Sequence, residues 1–123
     1  MKFKGDKDLP SLEFYEEMGI LKLSGRSTSV GAIENFWKPL LEKLEKYLET
    51  PRNMFLSINL EYFSTASAKA ILDMFKLISK KLDNKKFIIE WYWDDEDILE
   101  AGEDYQTMIP EAEFKFIDKN EDS

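Results

Sequence analysis

Residues 60–69 read Leu-Glu-Tyr-Phe-Ser-Thr-Ala-Ser-Ala-Lys, and they lead from a β-branched and aromatic run into a strong helical pattern. Two hydroxyls, those of Ser64 and Thr65, stand at this junction, where the first backbone N–H groups of a helix lack partners inside the helix. These donors and the positive end of the helix dipole would stabilise a phosphate on Thr65. The segment therefore predicts a phosphorylation switch at Thr65.

The same two hydroxyls have a simpler use. Ser and Thr are favoured just before a helix because their side-chain oxygen accepts a hydrogen bond from a backbone N–H, which contributes on the order of 1 kcal/mol. From the residues alone, capping by Ser64 or Thr65 is the more common role at such a position. Both interpretations stay open.

Periodicity defines the elements on either side of this junction. Residues 54–63 alternate apolar and polar side chains, which predicts a strand with one polar face. The next segment has apolar residues at helical spacing and predicts a helix that ends at residues 83–85. Three more apolar residues flank its buried stripe and either widen the core contact, which is more usual, or form a small docking surface: Ala70, Met74 and Leu77.

The remaining regions complete a predicted order of ββαβαβαβ. Residues 12–23 predict a hairpin that turns at Gly19. Residues 33–48 predict a helix that kinks or restarts near Phe36, because Pro39 interrupts the hydrogen bonding. The last third of the chain predicts a strand, a helix and a strand, at residues 86–93, 96–108 and 114–117.

Strands that alternate with helices predict an α/β fold with a mixed, mostly parallel sheet of about five strands and one antiparallel hairpin. Because the strands alternate instead of being apolar throughout, we expect helices mainly on one face of the sheet and water on the other. The length of 123 residues predicts one domain, with residues 1–9 and 118–123 as loose termini.

Composition argues against several classes of function. Lys and Arg total 17 against 25 Asp and Glu, with no basic patch, so nucleic acid is not an expected partner. Cys and His are absent, which removes common metal ligands and nucleophile–base pairs, and we predict no cofactor. No apolar run approaches the roughly 18 residues that span a bilayer, so we expect no membrane insertion and a cytoplasmic location.

The predicted topology gathers polar residues at one edge of the sheet. Parallel strands share an edge at their carboxyl ends, which would bring Arg26, Thr65 and the Asp94–Asp95 pair toward each other. Arg26 would form a salt bridge with an aspartate or pair with a phosphate on Thr65. The aspartates suit the first turn of a helix, and with Glu61 they also offer oxygen ligands for Mg²⁺, although their spacing does not match an EF-hand loop.

Four stretches together make the chain resemble the SiaC family of bacterial regulatory phosphoproteins, which are small STAS-like domains. The resemblance covers nearly the whole chain. Its residues are Gly25-Arg26-Ser27, Phe36-Trp37-Lys38-Pro39-Leu40, residues 61–69, and Asp94 to Asp97 together with residues 101–104. Residues 28–31 depart from the turn that usually follows the Gly-Arg-Ser triplet in the family.

This resemblance implies a non-enzymatic signalling protein that switches partners. It implies that a dedicated Ser/Thr kinase phosphorylates Thr65 and that a PP2C-like phosphatase reverses the modification. In the best known relatives the unphosphorylated form binds and activates a diguanylate cyclase. The resemblance thereby connects the chain to cyclic di-GMP signalling and biofilm formation.

Phosphorylation would then add charge to a neutral or apolar partner surface around Thr65 and block docking without unfolding the protein. We predict that this surface includes Phe63, Ala66, Ala70 and Met74. Other candidates for the environment of the phosphosite are Arg26, Tyr62, Ser64, Ser67, Lys69, Asp94 and Asp95. Two alternatives stay open: a STAS-like interaction module without phosphoregulation, and a magnesium-dependent enzyme that uses the acidic cluster but lacks an evident nucleophile.

Overall fold

Six strands form one sheet, and their order in space follows their order in the chain. The computed structural model describes residues 1–121. The strands are β1 (Lys2–Phe3), β2 (Ser11–Tyr15), β3 (Ile20–Ser27), β4 (Met54–Phe63), β5 (Phe87–Trp93) and β6 (Glu113–Asp118). Strands β1 to β3 pair antiparallel, whereas β3 to β6 are parallel. The predicted mostly parallel α/β fold is confirmed, and β1 raises the number of strands from about five to six.

Three α-helices connect the parallel strands: α1 (Lys38–Tyr47), α2 (Thr65–Lys80) and α3 (Glu96–Met108). A short π-helix, Ile33–Trp37, precedes α1. Pro39 is the second residue of α1, a position where a backbone N–H would have no partner within the helix. The helix thus changes from π to α hydrogen bonding at Lys38, close to the predicted kink or restart near Phe36, while the backbone at Trp37 and Lys38 stays helical.

All three helices cover the same face of the sheet. Each crossover connects a parallel strand to its next neighbour, always in the same direction along the sheet. Because such crossovers are right-handed, their helices all lie on the same face. The core beneath them contains Trp37, Phe75 and Trp91, all almost completely buried. The opposite face carries Lys22 and leaves Phe55 36% exposed. The predicted division into a covered face and an open face is confirmed.

The N-terminal segment is anchored, so the prediction that residues 1–9 are loose is wrong. Strand β1 pairs with β2, and the ring of Phe3 lies 5.7 Å from that of Phe36. The backbone carbonyl of Asp8 accepts hydrogen bonds from the N–H groups of Thr28 and Ser29, at 2.9 and 3.0 Å. The segment thereby supports the loop after β3. A strand of two exposed residues carries no periodic signal, which explains why the sequence did not reveal it.

The C-terminal segment is tied to the sheet where it begins. Strand β6 continues to Asp118, and the N–H of Lys119 donates to the carbonyl of Trp93 at 2.9 Å. The prediction of a loose terminus at 118–123 thus fails for its first residues, while residues 122 and 123 lie outside the described part of the chain. Among residues 1–121, no helix has the length and apolar character needed to cross a membrane.

Candidate functional site

The ends of β3 and β4 meet at the carboxyl edge of the sheet. Ser27 and Phe63, the last residues of these strands, are register partners. The N–H of Ser64 donates to the carbonyl of Ser27 at 2.9 Å, which places the start of α2 directly beside the end of β3. Because β5 is parallel to both strands, the aspartates that follow it lie at the same edge.

Ser64 and Thr65 have different structural roles at the start of α2. Ser64 has extended backbone angles, φ −71° and ψ 166°, and its Oγ accepts a hydrogen bond from the N–H of Ser67 at 3.1 Å. Ser64 is therefore the N-cap. Thr65 is the first helical residue, and it is exposed. The capping interpretation thus applies to Ser64, not to Thr65.

A buried hydroxyl network lies beneath the first turn of α2. Ser27 and Ser67 are fully buried, and their Oγ atoms are 2.7 Å apart. The indole N–H of Trp37 donates to Ser27 Oγ at 2.9 Å. Ser67 Oγ donates to the carbonyl of Ser27 at 3.1 Å and accepts from Ser64 Oγ at 3.1 Å. When Ser27 Oγ donates to Ser67 Oγ, every hydroxyl in the network is satisfied, and such a network holds its members in one geometry.

Two residues that were predicted to surround the phosphosite on the surface lie in the interior. Ser67 belongs to the buried network, and Met74 is completely buried. Both follow the spacing of the buried residue Ile71, at four residues before it and three after it, so both face the sheet. The prediction that Met74 belongs to the partner surface is therefore wrong, whereas Ser67, predicted for the environment of the phosphosite, supports the Ser64 cap from the interior.

The other residues of the predicted partner surface differ in exposure. Ala66 is exposed and Ala70 is 6% exposed. Phe63 is half-buried, and its ring lies edge-on to that of Trp91, with centroids 6.2 Å apart. Of the four residues predicted for the partner surface, Ala66 is the one that is exposed. Lys69, predicted for the environment of the phosphosite, is exposed as well.

A groove of about 370 Å³ begins beside Thr65 and runs between α2 on one side and the π-helix with α1 on the other. We call it the interhelical groove. Its apolar lining residues are Ile33, Trp37, Leu41, Ala66 and Ala70, and its charged lining residues are Lys38, Glu42, Glu45, Lys69 and Asp73.

Arg26 lies on the open face of the sheet. A β-bulge leaves Glu61 without a register partner on β3, so that Arg26 pairs with Tyr62. The guanidinium carbon of Arg26 is 5.5 Å from the centre of the Tyr62 ring, a cation–π contact. Within residues 1–121, no ion pair joins Arg26 to Asp94 or Asp95, so that predicted alternative is wrong. Pairing of Arg26 with a phosphate stays a prediction.

Asp94 and Asp95 have separate structural partners. Asp95 is the N-cap of α3, where its Oδ1 accepts a hydrogen bond from the N–H of Ile98 at 3.0 Å. Asp94 forms an ion pair with Lys119 at 3.9 Å. No group of three potential metal-ligating side chains occurs in the described residues. The predicted magnesium cluster with Glu61 therefore has no site in this part of the chain.

Helix α3 supports the start of α2 through Tyr105. The Tyr105 hydroxyl donates to the carbonyl of Ala68 at 2.8 Å, and its ring lies edge-on to Phe75 with centroids 5.3 Å apart. Burial, followed by the negative charge of Asp104, raises the pKa of the Tyr105 hydroxyl well above its ordinary value. Tyr105 therefore remains a donor at neutral pH.

Sequence reasoning missed Ser27, Trp37 and Tyr105 as supports of the Thr65 segment. Their hydrogen bonds join elements that are neighbours only in the folded chain. One signal for Ser27 was available, since it falls on the same face of its strand as Leu21 and Leu23. A polar residue on a buried face requires a hydrogen-bond partner.

Comparison with known families gives one match over nearly the whole chain. Residues 3–119 match the model of the SiaC family regulatory phosphoprotein. A search of curated proteins gives no significant match.

Comparison with solved structures gives the same fold. A chain in the crystal structure of the diguanylate cyclase SiaD in complex with its activator SiaC, from Pseudomonas aeruginosa, superposes with a TM-score of 0.87 at 20% identity. That match covers 96% of this chain and 98% of the other. Apo-SiaC from the same organism superposes with a TM-score of 0.84 at 18% identity, over 95% of this chain and 97% of the other. At 18–20% identity, these superpositions show that the chain has the same fold as SiaC.

Proposed function

The chain belongs to the SiaC family of regulatory phosphoproteins, and we propose that it is a non-enzymatic switch controlled by reversible phosphorylation of Thr65. A Ser/Thr kinase adds the phosphate, and a PP2C-like phosphatase removes it. The unmodified form binds a target, for which a diguanylate cyclase is the leading candidate because the similar SiaC of P. aeruginosa was crystallised with one.

One observation carries this proposal: Thr65 is exposed at a helix start that Ser64 already caps. The hydroxyl of Thr65 is therefore available to a kinase, and its modification leaves the N-cap hydrogen bond in place. The network of buried hydroxyls keeps this first turn fixed from below.

The phosphate acts by local electrostatics. It adds between about −1.5 and −2 units of charge at neutral pH. Backbone N–H groups of the first turn and the positive end of the α2 dipole stabilise that charge. We propose the exposed Arg26 as a further counter-charge, which requires its guanidinium to leave the cation–π contact with Tyr62 on the open face. Because these partners lie at the surface, the fold persists while the surface around Ala66 and Lys69 changes sign.

Phosphorylation of Thr65 is tested by incubating the purified protein with ATP, Mg²⁺ and the Ser/Thr kinase encoded nearest to this gene, followed by site mapping with tandem mass spectrometry. We expect a single phosphate on Thr65 and none on the Thr65→Ala variant. Ser64→Ala is the matched control and should still be phosphorylated. Phosphate found only on Ser27 or Ser67, which are both buried, would contradict the proposal.

A further inference from the structure

The open face of the sheet, opposite the three helices, bears a row of apolar side chains near the amino ends of the parallel strands. Ile20, Phe55 and Ile88 are register partners on β3, β4 and β5. Ile20 and Ile88 are half-buried, and Phe55 is 36% exposed. Apolar side chains that form a contiguous patch in contact with water are typical of an interaction surface.

A charged row follows on the same face, one step toward the carboxyl ends of the parallel strands. It crosses the five strands from β2 to β6, and its members are register partners in the order Glu13, Lys22, Ser57, Glu90 and Lys115. The row therefore reads negative, positive, neutral, negative, positive, with β4 at its centre. A rotation of 180° about an axis along β4 places each charge opposite a charge of the other sign.

The two charges next to the centre of this row are accessible to a partner. In the described part of the chain, residues 1–121, neither Lys22 nor Glu90 takes part in an ion pair. The ammonium group of Lys22 lies 6.0 Å from the centre of the Tyr15 ring, at the outer limit of a cation–π contact. An incoming group can thus pair with Lys22 or Glu90 without breaking an existing ion pair.

We propose that the open face joins two copies of this chain about a two-fold axis along β4. Lys22 of each copy faces Glu90 of the other, and Glu13 of each copy faces Lys115 of the other. Two sheets that pack face to face in this way lie about 10 Å apart, which long charged side chains can bridge. The charge complementarity of the row argues for a second copy as the occupant.

The apolar row is matched by the same axis. Phe55 of one copy faces Phe55 of the other, and Ile20 faces Ile88. Burial of these side chains would supply the favourable free energy of association, because it removes apolar area from water. The charged row would then fix the orientation of the two sheets.

The charges select this axis among those that place two sheets face to face. An axis across the strands would set each strand against itself, so that Lys22 meets Lys22 and Glu90 meets Glu90. An axis between β4 and β5 would set Lys22 against Lys115, and one between β3 and β4 would set Glu13 against Glu90. Like charges that face each other across an interface are strongly unfavourable.

This dimer leaves the carboxyl edge free in both copies. The helices lie on its two outer sides, and Thr65 stays exposed. Because the axis runs along the strands, the strands of both copies point the same way, and both Thr65 residues lie at the same end of the dimer. The inference does not depend on phosphorylation of Thr65.

Self-association is tested by sedimentation equilibrium of the full chain, from about 10 µM to about 1 mM, a range that covers the affinities of weak complexes. We expect a monomer–dimer equilibrium in this range. A wild-type protein that stays monomeric at the highest concentration overturns the proposal. The open face, with its cavity of about 340 Å³, would then be left to a smaller ligand.

Charge reversal tests the axis. Lys22→Glu and Glu90→Lys should each weaken the dimer at least about tenfold, because like charges then face each other. An equimolar mixture of these two variants should dimerise again, since every contact across the axis then joins opposite charges. The combined variant Lys22→Glu/Glu90→Lys keeps the net charge and should dimerise like the wild type. A mixture and a combined variant that both stay monomeric overturn the proposal.

Lys80→Glu and Glu100→Lys, both at exposed helix positions, are the matched controls for charge reversal. Each should leave the dimer unchanged, with circular dichroism showing that all variants are folded. Control variants that dissociate the dimer as strongly as Lys22→Glu overturn the charged row as the contact.

The face itself is tested with two substitutions to arginine. Phe55→Arg would set two like charges against each other at the axis and should weaken the dimer at least about tenfold. Ala66→Arg, at an exposed position on α2, should leave the dimer unchanged. A dimer that resists Phe55→Arg but dissociates with Ala66→Arg overturns the open face as the interface.

Discussion

The first turn of α2 divides two roles between adjacent hydroxyls, with Ser64 holding the helix start and Thr65 facing solvent. The sequence predicted that a hydroxyl caps this helix, but it could not decide which one. Helix boundaries read from sequence shift easily by a residue, and here one residue separates a capping hydroxyl from an exposed one.

Because Ser64 caps the helix and Thr65 faces solvent, we expect substitution of Ser64 to lower stability and substitution of Thr65 to leave stability nearly unchanged. Ser64→Ala removes the cap and should lower the free energy of unfolding by about 1 kcal/mol. Thr65→Ala removes an exposed hydroxyl at the first helical position and should change it by less than about 0.5 kcal/mol. Urea unfolding of the two variants measures the difference, and a larger loss for Thr65→Ala would show that the roles are reversed.

We expect the Tyr105 hydroxyl to make a contribution to the free energy of unfolding that depends on pH. Tyr105→Phe removes the hydrogen bond to the Ala68 carbonyl and should cost about 1 kcal/mol at neutral pH. The folded state raises the pKa of Tyr105, so its contribution is complete below the unfolded pKa of about 10 and is lost as pH rises beyond it. The stability difference between wild type and variant should therefore narrow in alkali. A difference that stays constant there would contradict this account.

At the scale of elements, Gly102 sets how closely α3 packs on the sheet. A Cβ at this position would lie 2.6 Å from the Trp91 indole and 2.8 Å from the Phe116 ring. The indole is itself fixed, because its N–H donates to the carbonyl of Ile98 at 2.9 Å. Gly102 lies in residues 101–104, the last stretch that resembles the SiaC family. Its role is to let α3 pack closely on Trp91 and Phe116.

Gly102→Ala should therefore destabilise the protein by about 1–3 kcal/mol, even though Ala is the better helix former. The exposed Glu100→Ala on the same helix is the control and should change stability by less than about 0.5 kcal/mol. Thermal unfolding monitored by circular dichroism compares them. A stabilised Gly102→Ala variant would show that α3 can move away from Trp91 without cost.

Most elements were predictable from the chain because their periodic patterns are long. Strand β4 and helix α3 have the predicted bounds, and Gly19 has the left-handed φ of 67° that its turn requires. The π-helix was not predictable as such, since the pattern of residues 33–48 indicated a helix with a break and did not specify its hydrogen bonding. The inward direction of Met74 could have been predicted, since Met74 follows Ile71 of the buried stripe by three residues.

At the scale of the molecule, the core is separate from the carboxyl edge, so the proposed phosphate on Thr65 would change the surface without unfolding the protein. The sheet and one core cluster join all three helices, whereas Thr65 lies outside this core at the carboxyl edge. The parallel orientation of the strands that share this edge was predictable, whereas their order in the sheet was not. The interhelical groove was not, because its lining combines residues from three elements whose spacing only the folded chain determines.

The most direct test is to measure, by isothermal titration calorimetry, the affinity of the proposed target, a diguanylate cyclase, for the unmodified protein and for the form with phosphothreonine at position 65. We predict that the phosphate weakens binding at least about tenfold, or roughly 1.4 kcal/mol, with unchanged circular dichroism. Equal affinity for both forms would contradict the switch and favour an interaction module without phosphoregulation.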